Sequence, residues 1–191
     1  MKNFIATLTI LAIFVTLTAC QSTTNAATSS ESSADAAEID RDVDAALHKL
    51  FESTPLASEL REKAVGILMF PDVLKAGFIV GAQYGEGALR QNGRTTGYYN
   101  TVAASYGLQA GVQGFGYALF FMNHEALAYL DKSSGWEIGV GPSIVIVDAG
   151  VAKALTTTTV KDGVYAFIFD QKGLMAGLGL QGSKITRIDP S

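Results

Sequence analysis

Three basic residues offer the clearest chemistry in this sequence. Arg90 and Arg94 flank Gln91-Asn92-Gly93. Asn-Gly is the strongest short hairpin signal, so both guanidinium groups are expected at one turn tip. Lys75 lies upstream, within the stretch Phe70 to Leu89, FPDVLKAGFIVGAQYGEGAL. Phosphate is the natural ligand for such groups, met by arginine as a planar fork and by lysine as a point charge. Lys75 also has a purely structural reading. Pro71 can start a helical turn, with Asp72 near its positive end, Lys75 near its negative end and Gly77 terminating it. The other bases, among them Lys63, Lys132, Lys172, Lys184 and Arg187, read as solvated residues of turns and strand ends.

Catalytic chemistry finds no footing. The two histidines, His48 and His124, stand far apart with no HxxxH or HxH spacing, so no metal set is expected. Ser105 and Ser143 lack the GxSxG elbow of a nucleophilic serine. The glycines form no GxxxxGK[ST] phosphate loop. No enzymatic activity, cofactor or catalytic residue is expected. Nucleic acid is not an expected partner either: the net charge is −4, and no basic run is interleaved with aromatics.

Cys20 is the single cysteine, which excludes any intrachain disulfide or CxxC site. It follows a minimal basic start at Lys2 and an apolar run of sixteen residues, Phe4 to Ala19, short for a membrane span. The run ends Leu17-Thr18-Ala19-Cys20, which resembles the lipobox of bacterial lipoproteins. That resemblance implies a signal peptide over residues 1–19, cleavage before Cys20, and acylation of its thiol and amine. It further implies anchoring in the bacterial cell envelope. Gln21 is not the aspartate associated with inner-membrane retention, which favours the outer membrane by analogy. Residues 21–37, QSTTNAATSSESSADAA, are a low-complexity tether. Seventeen such residues have a root-mean-square reach of about 23 Å.

The elements that would position these groups follow in order. Ile39, Val43, Leu47 and Leu50-Phe51 recur at helical spacing, and Thr54-Pro55 stops the helix. A second helix is expected from about Ser58 as N-cap to Val65. Acids concentrate here: residues 31–62 hold nine acids and three bases, whereas residues 63–191 hold nine acids and ten bases. An acidic face is repelled by anionic lipid, so the first helix is read as cover for the core. Downstream the chain is mostly strand. Asn123 should cap a short helix through Leu130, and Asp148 another segment through Leu155. Val160 to Phe169 and Leu174 to Leu180 suggest a hairpin across Asp170-Gln171-Lys172-Gly173, before a closing strand at Ile185 to Ile188.

One strand pattern recurs four times, with glycines at i and i+4: Gly77/Gly81, Gly107/Gly111, Gly135/Gly139 and Gly173/Gly177. The alternate face is apolar in each, as in Phe78/Val80/Ala82 and Leu108/Ala110/Val112. Four strands bent alike predict an α+β fold that is mainly β: a small Gly-rich antiparallel β-barrel with about three helices packed outside it.

The FP-x-VLKAGF-x-VG-x-QYGEG string, with Gly97-Tyr98-Tyr99-Asn100 and Gly135-Trp136, resembles the SYLF domain in its bacterial lipoprotein form. The resemblance spans roughly residues 40–190. It implies a lipid-binding domain over residues 38–191, related to eukaryotic domains that recognise phosphoinositides beside actin-binding activity. It also implies a β-barrel core with surface helices. Combined with the anchor, it predicts a membrane-attached protein that binds anionic lipid head groups weakly through Lys75, Arg90 and Arg94. The alternative is a structural envelope protein whose barrel binds a protein partner without recognising lipid.

Overall fold

The computed structural model describes residues 35–131, 136–137, 144–147, 163–175 and 184–191. All belong to one unit, Ser33–Ser191. Helix α1 (Ala36–Ser53) starts within the segment read as tether, because the Asp35 side chain accepts from Ala37 N and so caps it. Its apolar stripe, Ile39, Val43, Ala46 and Leu50, is buried. Thr54 ends it, and α2 (Pro55–Arg61) begins at once with proline in its first turn. The second helix therefore starts three residues before the expected Ser58 cap, since Pro55 both ends one helix and opens the next.

The body is one long hairpin. Strand β1 (Gly66–Gln91) and strand β2 (Arg94–Phe121) pair antiparallel from Gly66↔Phe121 to Gln91↔Arg94. Asn92 and Gly93 have φ of 49° and 74°, the conformation a two-residue hairpin turn of the primed type requires. The expected helical turn at Pro71 does not form. Pro71 and Asp72 instead lie in a bulge between the pairs Phe70↔Tyr117 and Val73↔Phe115. Proline has no N–H for the ladder, so a bulge accommodates it inside a strand.

After β2 come α3 (His124–Leu130), capped by Asn123, whose Oδ1 accepts from Ala126 N at 2.8 Å, and the short β3 (Trp136–Glu137). Then follow β4 (Ile144–Val147), β5 (Val164–Met175) and β6 (Lys184–Ile188). The expected hairpin across Asp170–Gly173 is absent, because β5 runs straight through and stays paired with β2 from Gly111↔Met175 to Phe121↔Val164. Asp170 and Gly173, at φ of 51° and 94°, absorb the irregularity where the register with β2 shifts. β5 and β6 share one edge of β2, β6 pairing at Tyr98–Val102. β3 pairs with β6, and β4 pairs with β5 in parallel, the one parallel pair among the described strands.

The expected barrel needs correction. Among the described residues the six strands run β3-β6-β2-β5-β4, with β1 beside β2, and the sheet is not closed. Two of the four glycine repeats, Gly77/Gly81 and Gly107/Gly111, lie on the two arms of a single hairpin, where Gly77 pairs with Gly111. Gly135, Gly139, Gly177 and the Asp148–Leu155 segment lie outside the described residues. The fold is mixed α+β, mostly strand, with three described helices.

The hairpin folds over on itself. A Cβ on Gly87 would lie 2.0 Å from the Met69 carbonyl oxygen, and one on Gly85 would lie 2.9 Å from Val73 Cγ2. Leu68, Phe70 and Leu119 from one half then share a core with Leu89 and Tyr99 from the other, together with Leu127 and Leu130 of α3. The alternate strand positions, Met69, Ala118, Phe120, Tyr165 and Phe167, pack under α1 and α2. Apolar cover on both faces explains why Gly66–Phe70 reads as a continuous apolar run instead of an alternation. Leu50, fully buried in the α1 stripe, fixes that helix. Leu50→Ala is expected to cost about 2–5 kcal/mol in urea denaturation.

Candidate functional site

The three bases singled out by sequence occupy different settings. Arg90 is nearly buried, at 14% exposure of its side chain. Its Nη2 donates to Asp44 Oδ1 at 2.7 Å and to the Asp40 carbonyl at 3.0 Å, and its Nη1 donates to Thr95 Oγ1. Thr95 Oγ1 in turn donates to Asp40 Oδ1 at 2.7 Å, and the Tyr98 hydroxyl donates to Asp40 Oδ2 at 3.1 Å. Burial, and then the Asp40 carboxylate, raise the Tyr98 hydroxyl above its ordinary pKa. This network locks α1 onto the hairpin tip. Asp44 is well exposed, so screening limits its share. Arg90→Ala should therefore lower stability by about 1–2 kcal/mol, read as a shift in the urea midpoint.

Arg94 stands at the same tip, exposed; its backbone pairs with Gln91, and its side chain makes no hydrogen bond or ion pair to the described residues. Lys75 is in β1 opposite Gln113, and only 6% exposed. The fold-over brings Gly85 to Val73. Lys75 lies beyond that crossing, and Arg90 lies five residues along the other limb, roughly 17 Å of strand. The structure brings Arg90 and Arg94 together and leaves Lys75 elsewhere.

Two further clusters had no signature in the sequence. Arg187, on β6, contacts Asp131 at 3.7 Å and donates to the Thr96 carbonyl at 3.2 Å. Asp131 also accepts from the Tyr99 hydroxyl at 2.9 Å. Burial, seconded by that carboxylate, pushes the Tyr99 hydroxyl well above its usual range. The second cluster lines a cleft of about 460 Å³ between α1 and the Pro71 bulge, bordered by Asp42, Lys49, Asp72, Asp170 and Lys172. Lys49 lies 2.5 Å and Lys172 3.1 Å from Asp170 Oδ2, and both hold that carboxyl below its ordinary pKa. Three carboxylates against two ammonium groups make this cleft a poor seat for an anionic head group. Among the described residues no group of three His, Cys, Asp or Glu side chains could hold a metal.

Residues 102–189 match the family model Ysc84, described as Las17-binding protein actin regulator. Over that span the chain matches the SYLF (Ysc84) family. No curated protein matches the chain. The match starts in the first third of β2 and ends just past β6, so it takes in Asp131, Lys172 and Arg187 but neither β1 nor the Arg90/Arg94 tip. No helix among the described residues is long and apolar enough to cross a membrane.

Proposed function

We propose that this protein is a lipid-anchored component of a bacterial cell envelope whose SYLF domain binds anionic lipid head groups weakly. The SYLF match carries the proposal, joined to the lipobox-like Leu17-Thr18-Ala19-Cys20. Acylated Cys20 supplies the attachment, and residues 21–34 keep the domain beside the membrane. Of Lys75, Arg90 and Arg94, only Arg94 is exposed with no described partner for its side chain, so it makes the first phosphate contact. Arg90 would have to exchange Asp44 for a lipid phosphate, and Lys75 would have to be uncovered. Each base near an anionic surface contributes about 1 kcal/mol, so the intrinsic affinity is modest. The anchor offsets this by raising the effective concentration to the millimolar range typical of short flexible linkers.

The experiment is an NMR titration of the Ser33–Ser191 unit with a short-chain phosphoinositide and with a neutral lipid. Shifts at the tip with the anionic lipid alone are expected, weakening with salt and reduced in Arg94→Ala. Equal shifts with both lipids, or none, would sink head-group recognition. The family description names protein binding, which supports the second reading, a module that binds an envelope protein. A lipid-blind domain that cross-links to one envelope protein in cells would favour it.

A further inference from the structure

We infer that the central stretch of the β1–β2 hairpin enters the acyl layer of a membrane through its outward face. The inference rests on the membrane placement proposed above but not on head-group recognition.

The burial pattern over this stretch is the reverse of that in a water-facing sheet. Leu74, Ala76, Ala82, Val102, Ala104 and Val112 are exposed, Leu74 at 54% and Val112 at 56%. The intervening Lys75, Gln83, Thr101 and Gln113 are buried. An antiparallel sheet with one wet face normally turns its polar residues outward. Here the apolar row is outside and the polar row inside, the alternation of strands whose outer face meets lipid. Register aligns the exposed residues in two patches, Ala76 paired with Val112 on one side, and Ala82 with Ala104 and Tyr84 with Val102 on the other, separated by a register shift between Phe78 and Val80. Between them Phe78 pairs with Ala110 and Val80 with Tyr106. The outward positions 74, 76, 82, 84, 102, 104 and 112 hold only Leu, Ala, Tyr and Val.

The sheet cannot relieve this exposure by itself. A one-residue slip would turn every side chain to the opposite face and expel Phe70, Val73 and Leu89 from the core. α1 and α2 cover Met69, Ala118 and Phe120 at the base of the hairpin and Ala88 near its tip, while Leu74 and Val112 stay exposed. Lipid is the occupant that fits. Apart from Tyr84 the exposed row is aliphatic and holds none of the Trp or Arg anchors enriched in protein hot spots. Its described end is Tyr84, whose hydroxyl donates to Glu86, an amphipathic side chain suited to the membrane interface. The chain leading into Asp35 also carries Cys20, within about 20 Å of tether reach. The described sheet has open edges, which hydrocarbon does not tolerate, so the hairpin lies in the interface and does not span it.

The test uses the Ser33–Ser191 unit, which contains both cores and every described element and lacks Cys20. Val112→Cys carries an environment-sensitive nitrobenzoxadiazole label. Glu52→Cys, on the exposed side of α1, is the control. Vesicles are phosphatidylcholine alone, or phosphatidylcholine with phosphatidylglycerol. The expected result is a blue shift at position 112 on both vesicle types and quenching by acyl-brominated lipid, with neither at position 52. A Leu74→Asp/Val112→Asp variant should keep its circular dichroism and melting temperature yet partition about tenfold less. Vesicle binding with an unquenched label at 112, or undiminished partitioning of the Asp variant, overturns insertion and leaves head-group binding standing. Quenching on phosphatidylcholine with no preference for phosphatidylglycerol leaves insertion standing and removes head-group selectivity. A label already shielded in solution, with a dimeric mass by light scattering, overturns insertion in favour of a second copy on this face. Failure to cosediment with either vesicle overturns both.

Discussion

Gly87→Val should prevent the Ser33–Ser191 unit from folding. Gly87→Ala should destabilise it by more than the usual 1–3 kcal/mol of about one overpacked methyl group. The added Cβ would lie 2.0 Å from the Met69 carbonyl oxygen and 2.8 Å from Phe70 Cδ1. Ordinary carbon–oxygen contact needs more than 3 Å, roughly, so the backbone of β1 would have to move. Met69 and Phe70 face opposite cores, so the displacement would loosen both at once. Gly93 provides the comparison. It has φ of 74° with nothing within 4 Å, so Gly93→Ala incurs only the left-handed backbone cost of about 1–2 kcal/mol. Denaturation midpoints should thus separate the two alanine variants widely. Equal midpoints would mean that the hairpin does not close on Gly87.

The residues that were legible are those whose structure is decided locally. Asn92-Gly93 specifies its own turn, Asn123 its own cap, and the Ile39–Leu50 stripe its own buried face. Pro71 misled for the same reason. Pro-Asp, then Lys and Gly, satisfies the local rules for a helical turn, but pairing across the bulge to Tyr117 and Phe115 prevails. Asp170–Gly173 looked like a hairpin turn until β2 supplied partners on both sides of it. Four similar strands suggest a closed barrel, but similarity says nothing about which strands pair.

The candidate site was legible in part. Grouping Arg90 with Arg94 needed only a turn. The pairing of Arg90 with Asp40 and Asp44 needed contacts spanning fifty and forty-six residues, for which no local pattern exists. A period of two separates the apolar row from the Gly/Gln row in the sequence without saying which is inside. Burial of Lys75 and exposure of Leu74 settle that direction.

Cys20→Ser should release the protein from the membrane or stop its processing. Each acyl CH₂ buried in lipid contributes about 0.8 kcal/mol, and stable anchoring takes two signals. Acylation at both the thiol and the amine of Cys20 would meet that requirement. Weak contacts from Arg94, at about 1 kcal/mol, cannot replace it. The substitution lies outside the Ser33–Ser191 unit, so folding should be unaffected and the effect confined to attachment. In cell fractionation, the variant should appear as an unprocessed precursor with residues 1–19 retained, or as a soluble product. Its intact mass should lack the acyl chains, and a salt wash should remove whatever contact the hairpin keeps with the membrane. Membrane retention through that wash, with a mass differing from the parent only by sulfur for oxygen, would show that Cys20 is not the anchor.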